Sequence, residues 1–167
     1  IVYQDGRASG LRCALVQNGP LEFLLMLDKC LDPAWIRYKG LNMSFLSKPG
    51  LQGRNPYDTA GREAVRSIMG GAMFTCGLDH VHGYRTVGGV EYPTHGRIRT
   101  TPAEKIGMDS FFDGDQYRIR VTGEMRQAEI FGENMILRRT VETVYGSNEI
   151  LFHDEIENQG FKPEPLC

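Results

Sequence analysis

The sequence predicts a mainly β protein that folds as an antiparallel β-sandwich. Apolar runs of strand length recur along the chain, and short turns join them. Glycine is frequent, with 20 among 167 residues, which favours turns and short strands over long helices. Helical periodicity does not separate the later strands, so a parallel sheet with crossover helices is disfavoured. A chain of this length is expected to form one domain, residues 1–167.

The first predicted element is a β-hairpin in residues 11–28. Its two apolar runs, 11–17 and 22–28, flank Asn18-Gly19, and Asn-Gly is a strong hairpin signal. The second run is apolar at nearly every position, so we expect it to be buried on both faces. A further short strand is predicted at residues 41–46.

One short helix is predicted near residues 59–69. Asp58 can cap its first turn, and apolar residues recur at helical spacing at Ala60, Ala64 and Ile68. Gly70 follows directly, as glycine often does at the end of a helix. The sandwich is therefore expected to carry one short helix.

Strand patterns return after residue 105. Residues 116–126 alternate apolar and polar side chains with a period of two, which indicates a strand with one solvated face. Residues 133–145 and 148–157 continue in the same manner across a turn at Gly146. Near the end, Asp154 lies in an acidic cluster that we interpret as a solvated strand edge.

Composition argues against nucleic acid and membrane as partners. The formal net charge is −2, and no apolar run approaches the roughly 20 residues of a membrane span. The charge is unevenly distributed, however. Residues 1–103 hold 12 Lys and Arg against 8 Asp and Glu, whereas residues 104–167 hold 7 against 13. The first part would therefore suit an oxygen-rich or anionic ligand.

The four cysteines, Cys13, Cys30, Cys76 and Cys167, show no CxxC pair and no spacing typical of a metal site. They are expected to be buried or incidental thiols of a reducing compartment, which predicts a cytoplasmic protein. A Cys76–His80 nucleophile is conceivable, but no carboxylate or amide is identifiable to orient the imidazole. No cofactor is predicted.

Reactive side chains concentrate in residues 70–104, a glycine-rich segment that holds three of the four histidines. Within it, His95 is the candidate general acid, and Arg97 is a cation two residues away. If the segment is extended, both side chains lie on one face, and Gly96 lets the backbone approach a ligand. This pairing suits a ring oxygen or hydroxyl group of a sugar. The alternative is a surface loop in which Arg97 pairs with a local carboxylate.

A metal site is the less favoured interpretation of the same segment. His80 and His82 would share one face of a strand, and His95 could be a third ligand. Zinc needs three or four ligands with supporting hydrogen bonds, and the spacing here is loose. We therefore predict no metal site. A metal-dependent isomerase that uses the three histidines is the least favoured function.

Several motifs are shared with a known family, in the same order along almost the whole chain. They are GGAMFTCGL at residues 70–78, HGRI at 95–98, TPAE at 101–104 and, more weakly, DEIENQG at 154–160. On these motifs the chain resembles an uncharacterised family of aldose 1-epimerase-like proteins in the galactose mutarotase-like superfamily. The TCGL and HGR motifs are fairly specific together.

The resemblance implies a large antiparallel supersandwich whose concave face binds carbohydrate. Mutarotases of this superfamily open and close a sugar ring with a histidine acid and a glutamate base. By resemblance, His95 belongs to the catalytic site, and Arg97, Asp79 and His80 contact the substrate. Members run to about twice this length. The chain is therefore expected to be a partial domain that lacks a later histidine and the carboxylate base.

Two main functions follow from the sequence. The first is binding of a monosaccharide or sugar derivative, with epimerisation in the parent protein, while the chain by itself is expected to be inactive. The second is a non-catalytic carbohydrate-binding or sensing module. The presence or absence of the later acid and base would distinguish these two functions.

Self-association is the testable expectation of a partial sandwich. Unpaired strand edges and exposed apolar faces would bring copies of the chain together, because backbone donors and acceptors at an edge can pair with another strand. We expect light scattering to detect oligomers or aggregates of the purified chain. A monodisperse monomer with a cooperative thermal transition would contradict this expectation.

Overall fold

A computed structural model describes residues 1–53, 61–66 and 70–167, and these residues confirm the predicted mainly β fold. Their strands form two four-stranded antiparallel sheets and a separate two-stranded ribbon. The two larger sheets contribute to one main apolar core, as expected for a sandwich. None of the helices in this part of the chain is long and apolar enough to cross a membrane.

The first sheet contains four strands in sequence order: β1 (Cys13–Gln17), β2 (Leu21–Met26), β3 (Asp32–Tyr38) and β4 (Leu41–Asn42). The predicted hairpin is confirmed, since β1 and β2 pair directly across a short turn. The strand predicted at 41–46 is shorter than expected. Its later residues leave the sheet, because Asn42 and Ser44 bond to each other in a tight turn.

Asn18 closes the first hairpin and ties it to the second sheet. Its side-chain oxygen accepts a hydrogen bond from the backbone N–H of Leu21 at 3.0 Å. Its side-chain nitrogen donates to Thr143 Oγ1 at 2.7 Å and to the Val144 carbonyl at 2.9 Å. Asn18 is fully buried, so these bonds replace the ones that water would otherwise supply.

Strand β2 is buried on both faces, as its uninterrupted apolar run predicted. Phe23 and Leu25 point into the main core between the sheets. Leu24 and Met26 alternate with them and pack into a second cluster on the opposite face of the first sheet. The second cluster is completed by Leu11, Cys13 and Ala34, with Tyr3, Trp35 and Leu51 at its margin.

A small ribbon, β5 (Arg85–Val87) and β6 (Val90–Tyr92), follows within the glycine-rich segment. The sequence analysis did not predict it, because three-residue strands are too short to show a period. Gly88 and Gly89 form its turn with φ of 58° and 84°, a left-handed conformation that glycine adopts without steric cost.

The second sheet is a meander of four long strands: β7 (Glu104–Asp113), β8 (Gln116–Ala128), β9 (Asn134–Val144) and β10 (Leu151–Asn158). The strands predicted at 116–126, 133–145 and 148–157 are confirmed, with small differences at their ends. Alternate residues of β8 and β9 face the first sheet. Those that complete the main core are Val121, Met125, Met135, Leu137 and Val141, each at most 5% exposed.

The described part of the predicted helix is the 3-10 helix Gly61–Arg66. Its Ala64 is buried, as the apolar pattern predicted. The rest of the prediction, residues 59–60 and 67–69 with the proposed cap Asp58, lies outside the described residues. Two further 3-10 helices that the sequence did not indicate lie at Gly6–Ala8 and Ile98–Thr100.

A buried arginine joins the two sheets. Arg139 of β9 is 4% exposed, and its Nη1 donates to Asp32 Oδ1 of β3 at 2.8 Å. The same nitrogen donates to Thr75 Oγ1 at 2.8 Å and to the Cys30 carbonyl at 2.9 Å. The other side of the guanidinium forms a two-pronged pair with Asp154 of β10, at 2.8 and 2.7 Å.

This pair corrects the interpretation of Asp154 as a solvated residue at a strand edge. Residues 139 and 154 are directly opposite each other in the β9–β10 register, on the face turned toward the first sheet. The Asp154 side chain is 35% exposed, so it reaches inward from the margin of the sheet to the buried guanidinium.

The outer strands of the second sheet, β7 and β10, are its edges in the described residues. Large apolar side chains are exposed on both: Met108 and Phe112 on β7 are 56% and 74% exposed, and Leu151 on β10 is 51% exposed. These are features that favour association of strand edges. Self-association of the chain stays a prediction.

Replacement of Arg139 by Met tests whether the buried pair holds the sandwich together. We expect Arg139→Met to lower the free energy of unfolding by about 3–5 kcal/mol, because it leaves the Asp32 carboxylate buried without its cation. The measurement is equilibrium unfolding in urea. The matched control is Arg138→Met on the same strand, whose pairs with Glu124 and Glu157 face solvent and should contribute about 1 kcal/mol or less. Equal losses in the two variants would contradict this role.

Candidate functional site

The glycine-rich segment is held against one end of the sandwich by backbone contacts. The N–H of Leu78 donates to Gln127 Oε1 on β8 at 3.3 Å. The N–H of Cys167 donates to the Leu78 carbonyl at 2.9 Å, so residue 78 also contacts the C-terminal residues. Farther along, the N–H of Ala103 donates to the Leu27 carbonyl at 2.8 Å. The segment is therefore fixed at both ends.

Arg97 and Asp79 form a held ion pair within this segment. Nη1 of Arg97 donates to Asp79 Oδ2, and the backbone N–H of Arg97 donates to Asp79 Oδ1 at 3.3 Å. A second prong, Nη2, donates to the Glu91 carbonyl at 2.6 Å. The guanidinium also lies 5.9 Å from the centre of the Tyr92 ring. With its position defined on three sides, Arg97 presents a fixed donor surface.

A cavity of about 220 Å³ opens beside this pair. Drug-sized sites span about 300–1,000 Å³, so this one has room for a small ligand. Its polar wall consists of Asp79, Arg97, Gln127, Glu129, Glu133 and Glu164, and Tyr92 contributes an aromatic surface. Both ion-pair residues predicted to contact substrate therefore line one cavity.

The sequence analysis missed the wall that the second sheet supplies. Gln127 continues the inward-facing row of Val121 and Met125, where a polar residue interrupts an apolar pattern. Gln127 is 4% exposed. A polar residue in a buried apolar row is the feature of the sequence that could have indicated its role in the cavity. The sequence around Glu133 and Glu164 does not indicate a binding site, because only folding brings these two residues to the cavity.

His95 lies differently from the arrangement that the sequence suggested. The segment is not extended, because His95 and Gly96 have φ of 64° and 81°. The two side chains at 95 and 97 therefore do not share a face, and His95 does not line the cavity. Its Nδ1 lies 3.1 Å from the Val81 carbonyl, and its ring meets Phe74 edge-on at 5.7 Å. Since a carbonyl only accepts, this contact assigns the proton to Nδ1 in the neutral ring.

Position 96 has room only for glycine, because the backbone of the same segment lies directly against it. A Cβ at this position would lie 2.0 Å from the Gly77 carbonyl oxygen and 2.4 Å from the His80 carbonyl oxygen. Both are backbone atoms, so no side chain could move aside. The sequence predicted that the backbone at Gly96 would lie close to a ligand. In the structure it lies close to the backbone of Gly77 and His80.

His80 is fully buried and does not line the cavity. Its Nε2 lies 2.8 Å from the Gly83 carbonyl, and its ring packs 5.5 Å from the Tyr92 ring. Nδ1 of His80 has no hydrogen-bond partner in the described part of the chain. His80 thus supports the wall of the cavity through Tyr92, whereas Asp79 next to it reaches the interior.

The other chemistries considered for the segment find little support in its geometry. Among residues 1–53, 61–66 and 70–167, no group of three or more His, Cys, Asp or Glu side chains is placed to hold a metal ion. Burial raises the pKa of the Cys76 thiol, which disfavours the nucleophilic thiolate. All four cysteines are free.

Lys29 is a second unusual group that the sequence analysis did not single out. It lies in the turn between β2 and β3 and is only 9% exposed. Within the described residues its ammonium makes no hydrogen bond and no ion pair. Burial lowers its pKa from 10.5 to about 8, an effect that Asp32 opposes and Arg99 reinforces.

The architecture is that of an aldose 1-epimerase-like β-sandwich. The crystal structure of a protein from Klebsiella pneumoniae subsp. pneumoniae, described as a "putative aldose 1-epimerase", matches 98% of this chain with a TM-score of 0.83 and 20% sequence identity. The chain spans 43% of the length of that protein. At this identity the likeness concerns the fold alone.

The chain belongs to the family described as "Domain of unknown function (DUF4432)", which matches residues 8–167. The match includes every residue that lines the cavity. No curated protein matches the chain.

Replacement of Lys29 by Met tests the cost of burying this ammonium. Between pH 8 and 10.5 the unfolded chain holds a proton that the folded chain has released, so stability rises with pH across this window. We expect Lys29→Met to raise the free energy of unfolding at pH 7 by about 1–3 kcal/mol, with the gain shrinking as the pH rises from about 8 to about 10.5.

Urea unfolding at pH 7 and pH 10 measures the effect. The control is Lys105→Met, because Lys105 is 67% exposed and pairs with Glu124 at the surface. It should change stability by less than about 1 kcal/mol without this pH trend. A Lys29→Met protein that is less stable than wild type at pH 7 would contradict the expectation.

Proposed function

We propose that this chain is part of a carbohydrate-binding protein of the aldose 1-epimerase-like group in the galactose mutarotase-like superfamily, with a monosaccharide or sugar derivative as its ligand. The observation that carries the proposal is the held Arg97–Asp79 pair lining a small polar cavity. The fold likeness to a "putative aldose 1-epimerase" and the HGR motif support it.

The cavity wall matches the chemistry of a sugar. Each hydroxyl group of a sugar both donates and accepts hydrogen bonds. Arg97 supplies only donors, Asp79 supplies only acceptors, and the amide of Gln127 supplies both. Hydrogen bonds to charged groups are stronger than neutral ones, which favours this pair as the main contact. The ring of Tyr92 can cover an apolar C–H face of the sugar.

Epimerase chemistry requires an acid and a base on opposite sides of the anomeric centre. A carboxylate would remove the proton of the C1 hydroxyl while a histidine protonates the ring oxygen. By resemblance we propose His95 as the acid. Because its Nδ1–H is bound to the Val81 carbonyl, His95 would donate from Nε2, which carries a proton only in the imidazolium form. This role also requires the ring oxygen of the sugar to reach His95 outside the cavity. The base that the resemblance implies is not assigned to any residue of this chain. We therefore propose binding for these residues and catalysis only together with such a base.

The second candidate is a non-catalytic carbohydrate-binding or sensing module. The position of His95 outside the Arg97–Asp79 cavity favours it, because a binding module needs no acid at the cavity wall. Both functions include sugar binding. An assay of mutarotation by the parent protein distinguishes them, because only the epimerase would accelerate it.

Arg97→Met tests the proposed contact. We expect saturation-transfer NMR and calorimetry with a panel of aldoses to find a ligand for the wild-type chain. Arg97→Met should lower the affinity for that ligand about tenfold or more. The variant removes a charge-assisted hydrogen bond, whose loss costs about 1.4 kcal/mol or more of binding free energy. The matched control is Arg120→Met on β8, whose pair with Asp109 lies on the solvated face. Unchanged affinity in Arg97→Met, with retained fold by circular dichroism, would contradict the proposal.

Polarimetry tests where the base resides. We expect this chain alone to accelerate mutarotation of its sugar ligand little above the buffer rate, since no base is assigned within it. A rate well above buffer that Arg97→Met abolishes would show that these residues already hold a complete site.

A further inference from the structure

The turn between β8 and β9 carries large apolar side chains at its tip. Ile130 and Phe131 are 90% and 100% exposed, and Phe161, just after β10, is fully exposed as well. Turn positions ordinarily hold Gly, Asn, Asp or Pro, and exposed apolar patches on folded domains commonly mark binding sites. We call these three residues the apolar patch, and they lie at the same end of the second sheet.

Both loops that carry the apolar patch are closed by hydrogen bonds. The backbone N–H of Glu129 donates to the Glu133 carbonyl at 2.9 Å, which closes the β8–β9 turn. After β10, Asn158 Oδ1 accepts from the N–H of Gly160 at 2.8 Å, and Asn158 Nδ2 donates to the Lys162 carbonyl at 2.8 Å. The fold therefore presents the patch to solvent on two defined turns.

A groove of about 690 Å³ is lined by the two loops. Polar side chains line it together with the apolar patch: Arg126, Glu129, Asn134, Gln159, Lys162 and Glu164. Arg126 Nη1 donates to Asn134 Oδ1 at 2.7 Å and to Gln159 Oε1 at 3.3 Å, which holds the guanidinium at the groove. The groove thus combines exposed aromatic rings with positioned hydrogen-bonding groups.

This groove adjoins the cavity beside Arg97 and Asp79. Glu129, Gly132 and Glu164 line both spaces. The cavity alone, at about 220 Å³, is smaller than the roughly 300–1,000 Å³ typical of sites for larger ligands, whereas the groove lies within that range. A ligand held by the Arg97–Asp79 pair can therefore continue past these shared residues toward Phe131 and Phe161.

We propose that the groove is a subsite for a second sugar unit, so that the ligand is an oligosaccharide; this statement rests on the proposed function. A pyranose ring has apolar C–H faces, which the rings of Phe131 and Phe161 can cover. It also has hydroxyl groups at its edge, which charged side chains such as Arg126 and Lys162 can bind. A purely polar ligand would leave the aromatic rings in water, and an alkyl group would leave the polar side chains without a partner in the ligand.

The position of the linkage has a chemical consequence. A sugar substituted on the oxygen of C1 cannot open its ring. For epimerase chemistry, the second unit must therefore be joined through another oxygen of the first. This requirement selects reducing disaccharides as the probes.

Calorimetry compares glucose with maltose, cellobiose and gentiobiose, and galactose with galactobiose. We expect at least one disaccharide to bind about tenfold or more tightly than its monosaccharide, because the second unit covers the exposed rings. Phe131→Ala and Phe161→Ala should each remove most of this gain and leave the affinity for the monosaccharide unchanged. The matched control is Phe112→Ala, because Phe112 is exposed on β7 and lines neither the cavity nor the groove.

The subsite is rejected if no disaccharide binds more tightly than its monosaccharide, or if both phenylalanine variants keep the full gain. Light scattering of the same variants examines a second copy of the chain as the occupant. An oligomer that Phe131→Ala dissociates, with the affinity for every disaccharide unchanged, would assign the patch to self-association and overturn the proposal.

Failure of the proposed function gives a different result. If only the subsite is wrong, Arg97→Met still weakens binding of the monosaccharide, and the disaccharides show no gain. If the Arg97–Asp79 cavity is wrong, Arg97→Met changes neither affinity. A disaccharide whose binding depends on Phe131 but not on Arg97 would confirm the groove and reject the cavity.

Discussion

The guanidinium of Arg139 is the interaction on which the rest of the described structure depends. A buried cation must be surrounded by acceptors, and Arg139 obtains them from both sheets and from the segment between them. Asp32 lies at the start of β3, Asp154 on the outer strand β10, and Thr75 at the entrance to the glycine-rich segment. Removal of Arg139 would leave the Asp32 carboxylate buried without its cation, and removal of Asp32 would leave part of the buried guanidinium unpaired.

This constraint extends to the candidate site. Thr75 fixes the start of the segment that carries Asp79 and Arg97, so the geometry of the cavity beside them depends on the packing of the sandwich. Asp32 gives its oxygens to Arg139 and Thr75, so one carboxylate connects the first sheet, the second sheet and the glycine-rich segment.

Membership of the DUF4432 family and the aldose 1-epimerase-like fold place this site in a consistent setting. A held Arg–Asp pair can orient the hydroxyl groups of a ligand.

By itself, the sequence determined which stretches become strands and where the reactive residues concentrate. Period-two alternation, the Asn18-Gly19 turn and the continuous apolar run of β2 are local consequences of burial, so they can be read from neighbouring residues. Tertiary structure alone decided that Arg139 pairs with Asp32, 107 residues away, and that Gln127 joins Asp79 at one cavity. It also decided that His95 lies outside that cavity, against Val81 and Phe74. Such contacts depend on strand register and on left-handed backbone that packing enforces, and neither leaves a periodic signal in the chain.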